Sequence, residues 1–197
     1  MLELILVRHG ETDSNIRGTY CGWTDTPLNG KGLNQARETA RKLKDVKFDA
    51  VFCSPLARAV QTAKTIVADR VCGITLTETL KEHNFGIWED MTHAEITEIY
   101  PEEAAAWEKD WMNYEIEGGE SAAQGFRRTS GFVDELMDRY ENGTILLVSH
   151  LGSIRYILVH LLGLPIDFIW RFGADNGSIT RVVIPDDKYA WLKNLNI

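Results

Sequence analysis

Cysteine is scarce in this chain: three among 197 residues, at positions 21, 53 and 72. An odd number without CxxC spacing excludes a disulfide scaffold and suits a reducing compartment, so a cytoplasmic location is expected. The five histidines show neither HxH nor HExxH spacing, and no metal site is expected from them. No apolar run approaches the roughly 20 residues that span a bilayer, so no membrane segment is expected. The opening Met1-Leu2-Glu3-Leu4 lacks the basic stretch and cleavage site of a signal peptide. Positive charge is in deficit, with 21 Lys and Arg against 29 Asp and Glu, a net charge of −8. That balance argues against nucleic acid or an anionic membrane as partner, since both need a basic footprint. It still allows a small anionic substrate in a local basic pocket. Repeats, low-complexity tracts and linkers are also missing, which leaves residues 1–197 as one domain.

What is present alternates between two periods. Leu2 to Val7 reads as a buried strand, broken abruptly by Arg8-His9-Gly10. Leu33, Ala36, Ala40 and Leu43 recur at helical spacing, with Asn29 as the N-cap. Ala50 to Cys53 is a second strand, and Ser54-Pro55 then reads as an N-cap with proline at the first helical position. Leu56, Ala59, Val60, Ala63, Ile66 and Val67 form one stripe of that helix. Ile74 to Thr77 is a third, short strand. Thr144 to Val148 has the β-branched, leucine-rich texture of a central parallel strand, and Ile154, Ile157, Leu158 and Leu161 mark the helix after it. Ile179–Ile184 and Tyr189–Leu195 flank Pro185-Asp186-Asp187-Lys188 as a hairpin. The pattern predicts an α/β three-layer sandwich, a mostly parallel sheet with helices on both faces.

Residues 84–120 differ in texture. Thr92 with Glu95 fits a capping box, and Pro101-Glu102-Glu103 fits a second helix start with acids in the first turn. Trp88, Trp107, Trp111 and Gly118 punctuate this stretch, which predicts short helices forming a small cap over a site. Ser121 with Gln124 then opens a helix through Phe126, Val133, Leu136 and Tyr140.

In such sheets ligands bind beyond the carboxyl ends of the parallel strands. Three of those ends carry unusual side chains: Arg8-His9 after the first, Arg58 in the helix after the second, and His150 after the fourth. Helical side chains lean toward the N-terminus, so Arg58 points back over its strand end. Two arginines and two histidines converging there suit a dianion such as a phosphoryl group. Arginine offers planar paired donors, and the free N–H groups opening the helix after His150 add to the trap. Each residue alone reads as an ordinary loop neighbour; the four together favour the functional reading.

The residues also carry a resemblance. Leu6-Val7-Arg8-His9-Gly10-Glu11-Thr12 with Asn15, then Gly22-Trp23-Thr24-Asp25-Thr26-Pro27-Leu28, resembles the signature of the histidine phosphatase superfamily, phosphoglycerate mutase-like branch. Ser54-Pro55-Leu56-Ala57-Arg58-Ala59, Phe85-Gly86-Ile87-Trp88-Glu89, Gly118-Gly119-Glu120-Ser121 and Val148-Ser149-His150 continue it in order along essentially the whole chain. The resemblance implies that His9 is the nucleophile that becomes phosphorylated. Two flanking arginines disfavour its cation and keep it neutral. It implies that Arg8, Arg58 and His150 hold the phosphoryl oxygens and that Glu82 is the general acid and then base. Asn15 is implied as a further phosphate donor; Cys21, as a small wall residue, Gly22 and Leu151 are also expected to be substrate-binding, and no metal or cofactor is expected.

Two positions depart from the family pattern: Asp90 where glycine is usual, and Leu151 where a small residue commonly follows the histidine. His83 is expected to border the site, and His93 and His160 to sit on helix surfaces. A mutase needs cations for a substrate carboxylate, yet Lys109 is the one Lys or Arg between Asn84 and Glu120, among eleven Asp and Glu. A phosphatase acting on a small phosphorylated metabolite therefore fits better than a mutase. Trp88, Trp107, Trp111 and Tyr114 either pack the cap or supply one or two rings of a stacking wall for an aromatic leaving group. Their pattern is similar to the α-ribazole-5′-phosphate phosphatases of cobalamin synthesis, a group within that family whose substrate carries a flat benzimidazole. A broad small-molecule or sugar phosphatase is the alternative. Oligomeric state is not readable, and a homodimer stays open.

Overall fold

The computed structural model describes residues 1–68, 70 and 72–197. Its centre is a six-stranded sheet in the order β3-β2-β4-β1-β5-β6. The strands are β1 (Leu2–Arg8), β2 (Ala50–Cys53), β3 (Thr75–Leu76), β4 (Gly143–Ser149), β5 (Ile179–Ile184) and β6 (Trp191–Asn194). Strands β3, β2, β4 and β1 are mutually parallel, and β5 runs antiparallel to both neighbours. The sheet is thus mostly parallel, and the expected C-terminal hairpin is β5–β6.

Alternation along β1 sorts its side chains between two cores. Leu2, Leu4 and Leu6 pack with Ile145 and Leu147 of β4 against α6 (Ala122–Arg139) and α7 (Leu151–Leu161). Ile5 and Val7 face the other way, with Leu146 and Val148, onto α3 (Ala57–Val67) and the end of α2 (Gly30–Lys42). Each fully buried aliphatic chain contributes about 1.5–3 kcal/mol, and both faces of β1 and β4 are filled this way. The three-layer arrangement follows, because a strand that is apolar on both faces is stable only between two helical layers.

Local signals set the helix starts. Asn29 accepts from Gly32 N, and complete capping boxes close at Thr92 with Glu95 and at Ser121 with Gln124. Pro101 opens α5 (Pro101–Lys109), which follows α4 (His93–Ile99). Two expectations need correction. Leu33 is exposed, since the buried stripe of α2 runs through Gly32, Ala36 and Thr39. Ser54 does not cap α3 either. That helix begins two residues later, with Leu56 at the cap and no side-chain cap bond.

Residues 84–120 build a small core of their own, in which Trp88, Ile96, Ala104 and Ile116 are buried. Tyr20 packs edge-on against Phe85, joining this layer to the loop after β1. That loop holds the short helix α1 (Asp13–Arg17), whose capping box pairs Thr12 with Asn15. Among the described residues no helix is long and apolar enough to cross a membrane.

Candidate active site

Strand register brings the two histidines together. Arg8 of β1 lies opposite Ser149 of β4, so His9 and His150 leave adjacent parallel strands side by side. Their ring centroids are 5.0 Å apart, and both rings are buried. His9 Nδ1 lies 2.7 Å from the Gly10 carbonyl. That oxygen can only accept, so Nδ1 carries the proton and Nε2 keeps its lone pair. Burial, then Arg58, then Arg8 hold the His9 pKa well below its ordinary value of 6.5. The ring is therefore neutral and nucleophilic at neutral pH, as two flanking arginines led one to expect.

Arg58 is the second residue of α3, and its side chain folds back over the strand ends with 1% exposure. Nη1 donates to Thr24 O at 2.9 Å, Nη2 to Gly22 O at 2.6 Å, and Nε to His150 Nδ1 at 3.2 Å. With Nδ1 accepting, His150 Nε2 donates to Ser54 Oγ at 2.8 Å. Ser54 thus serves the site rather than the helix. Burial and then Arg58 lower the His150 pKa well below 6.5.

A cavity of about 210 Å³ opens at this edge, lined by Arg8, His9, Asn15, Cys21, Arg58, Glu82 and Leu151 among others. Arg8 Nη1 donates to Ala174 O at 2.7 Å, while its buried Nε has no partner among the described residues. Asn15 Oδ1 accepts from Thr12 N at 3.0 Å and Asn176 Nδ2 at 3.1 Å, so the amide nitrogen is the end available to a ligand. Two expected site residues stand behind the wall. His150 is fully buried between His9, Arg58 and Ser54. Gly22 holds Arg58 through its carbonyl and donates from its N–H to Glu89. A Cβ there would lie 2.1 Å from His83 O, so no other residue fits.

Glu82 changes the expected role of the α7 N-terminus. Its carboxylate accepts from Gly152 N at 3.1 Å, Ser153 N at 3.3 Å and His83 N at 2.9 Å. The helix N–H groups expected to be free for phosphate are taken by this carboxylate, which the local dipole favours. Glu82 also lines a second cavity of about 270 Å³, which shares Tyr20, Glu82, Phe85 and Leu151 with the first. His83 lines that second space, and burial lowers its pKa. His93 is exposed on α4, and His160 on α7 lies 2.7 Å from Asp134.

Six aromatic side chains wall the second cavity: Tyr20, Phe85, Trp107, Trp111, Tyr156 and Trp170. Trp107 and Trp111 both reach it, Trp107 while also packing edge-on against the buried Trp88, whereas Tyr114 stacks on Trp88 away from the cavity. Arg155 of α7 also lines this space and donates from Nε to Phe172 O at 2.8 Å. The charge count over residues 84–120 therefore understates the cations available, because the cavity wall draws on other segments. Arg155 carries no signal in the sequence, where α7 shows only its apolar stripe. Trp170 and Tyr156 carry no motif signal of their own, and the motif that holds Ser54 does not announce its bond to His150.

Asp90, the departure noted above, adopts φ 63, the left-handed conformation in which glycine is cheapest. Its N–H still donates to Tyr20 O at 2.9 Å, so the backbone contact survives the side chain. Among the described residues no group of three or more His, Cys, Asp or Glu could hold a metal ion.

The chain is 35% identical over 195 residues to the adenosylcobalamin/α-ribazole phosphatase of Escherichia coli, covering 99% of this chain and 96% of that protein. It is 34% identical over 197 residues to phosphoserine phosphatase 1 of Hydrogenobacter thermophilus, covering 100% and 93%. The crystal structure of the α-ribazole phosphatase from Shigella flexneri superposes with a TM-score of 0.93 at 35% identity, covering 99% and 96%. The profile described as histidine phosphatase superfamily (branch 1) matches residues 4–197, and this chain belongs to that superfamily.

Proposed function

We propose that this phosphatase hydrolyses α-ribazole 5′-phosphate, or a phosphomonoester with a similar flat aromatic leaving group, through a phosphohistidine on His9. His9 Nε2 attacks phosphorus while the ester oxygen departs, and Nδ1–H, held by Gly10 O, steadies the ring as it gains charge. Arg8, Arg58 and Asn15 bind the phosphoryl oxygens. His150 orients Arg58 through Nδ1 from behind the wall, its Nε2 donating to Ser54. Glu82 takes up a proton as the ester dianion enters and gives it to the leaving oxygen. It then takes one from the water that attacks phosphohistidine, releasing inorganic phosphate and restoring His9. Cys21 and Leu151 shape the wall, and Gly22 acts through its hold on Arg58.

The observation that carries the substrate class is the cavity of six aromatic side chains contiguous with the phosphoryl site. Stacking on such faces is worth about 1–3 kcal/mol, or roughly 5- to 150-fold in discrimination. In this reading residues 1–197 act as one domain, with residues 84–120 as its cap. The three free cysteines support a reducing, cytoplasmic setting. A second reading, phosphoserine hydrolysis, draws on Arg155 as a cation for the carboxylate and on the Hydrogenobacter relative.

A panel of kcat/KM values for α-ribazole 5′-phosphate, phosphoserine and 3-phosphoglycerate separates these readings. The ribazole ester is expected to lead by at least about tenfold, within the range of the stacking energy. A lead for phosphoserine overturns the substrate and keeps the chemistry. Acid-free trapping of phosphohistidine, lost in His9→Ala, tests the chemistry itself.

A further inference from the structure

Glu82 sits on a loop with no regular structure of its own, between a 3₁₀ turn at Glu78–Leu80 and another at Gly86–Trp88. Its carboxylate nevertheless has to meet the leaving oxygen. The loop is gripped through its carbonyls: Leu80 O accepts from Ser149 Oγ at 2.7 Å, and Glu82 O accepts from Trp23 Nε1 at 2.9 Å. Arg128 of α6 makes the widest contact. Nη1 donates to Thr79 O at 2.8 Å and Lys81 O at 3.0 Å, and Nη2 donates to Glu82 O at 3.3 Å.

The guanidinium is fixed in turn by Glu120. Nη2 lies 2.5 Å from Oε1 and Nε 3.2 Å from Oε2, the paired geometry in which planar donors match a carboxylate. Glu120 Oε1 also accepts from Asn84 N at 3.0 Å, two residues beyond Glu82. Both side chains are largely buried, and neither lines the phosphoryl cavity or the aromatic one. One ion pair thus grips the loop on both sides of Glu82 without touching either space.

We infer that Glu120 and Arg128 are positioning residues that hold Glu82 at the leaving oxygen, a role that rests on the acid–base function proposed for Glu82. Their loss should mimic the loss of the acid rather than the loss of phosphate binding. The ester with the poorer leaving group should suffer most.

The test compares kcat and KM for p-nitrophenyl phosphate, whose leaving group needs little protonation, with those for glycerol 2-phosphate. Arg128→Met should lower kcat on the alkyl ester roughly 10- to 100-fold and on the aryl ester no more than about threefold, with KM little changed. Added to Glu82→Gln, the same substitution should cause no further loss on the alkyl ester, because one function has already gone. Glu120→Gln, which keeps an acceptor for Asn84 N and removes the charge, carries the same comparison if Arg128→Met does not fold. Multiplicative losses in the double variant, or equal losses on both esters, overturn the positioning role. If Glu82→Gln itself loses equally on both esters, the acid role fails and the positioning role falls with it. A selective Glu82→Gln beside unselective Arg128 and Glu120 variants removes the positioning role alone.

Discussion

Replacing Gly152 by alanine strikes the site at a single atom. A Cβ on Gly152 would lie 2.4 Å from Glu82 Oε1 and 3.3 Å from its Cδ. Ordinary contact begins about 1 Å further out, so the carboxylate must retreat by a distance on that order. It cannot do so while accepting from Gly152 N, Ser153 N and His83 N at 3.1, 3.3 and 2.9 Å. A catalytic group misplaced by about 1 Å can cost about 10²-fold, and that is the loss expected in kcat on an alkyl phosphate. What has to move is the free end of a side chain, and alanine favours a helix over glycine by about 0.5–1 kcal/mol. Against that gain stand the N–H groups the carboxylate leaves, about 1–3 kcal/mol for a buried unpaired donor, so the melting temperature should fall modestly while catalysis falls far more. Turnover of p-nitrophenyl phosphate should drop by no more than about threefold, since that leaving group needs little protonation. Steady-state kinetics on both esters, with thermal unfolding alongside, decide the matter. Full activity of Gly152→Ala on the alkyl ester, or an equal loss on both, would refute the placement of Glu82 as the acid.

Burial and Arg58 hold His9 and His150 well below 6.5, so the unfolded chain binds protons that the native state refuses. Stability should be full above that value and fall as pH drops below it, by about 1.4 kcal/mol per unit for each histidine that stays neutral. Urea midpoints at about pH 7.5 and about pH 5.5 measure this slope, which should shrink in His9→Asn; an unchanged slope contradicts the assignment. Asp90→Gly should raise stability by up to about 1 kcal/mol, since φ 63 is the cheaper conformation for glycine. A lower melting temperature would count against it. Trp107→Ala or Trp111→Ala should reduce kcat/KM for α-ribazole 5′-phosphate relative to p-nitrophenyl phosphate by roughly 5- to 150-fold. Tyr114→Ala, which removes a ring stacked on Trp88, should instead lower stability and leave that ratio unchanged.

The features legible in the sequence are those whose causes lie close together along the chain. Thr92 with Glu95 and Ser121 with Gln124 cap helices because each pair needs only its own first turn. The apolar run through Thr144–Val148 reads as a central strand because both of its faces are buried, whatever packs on them. Arg8, His9, Arg58 and His150 stood out because polar side chains end apolar strands at the edge where parallel sheets bind ligands. Tertiary structure decided which side chain meets which. The α7 N–H groups receive Glu82 from 70 residues away, so a helix start that looked open to phosphate holds a carboxylate. Ser54 left its expected cap for His150, a partner 96 residues distant. Arg155 entered the aromatic cavity from a helix whose sequence advertises only its apolar stripe. The Glu120–Arg128 grip spans α6 and the Glu82 loop, and neither period nor motif connects them. Hydrogen bonds and cavity walls depend on separation in space, and a one-dimensional pattern records that separation only where the chain is locally regular.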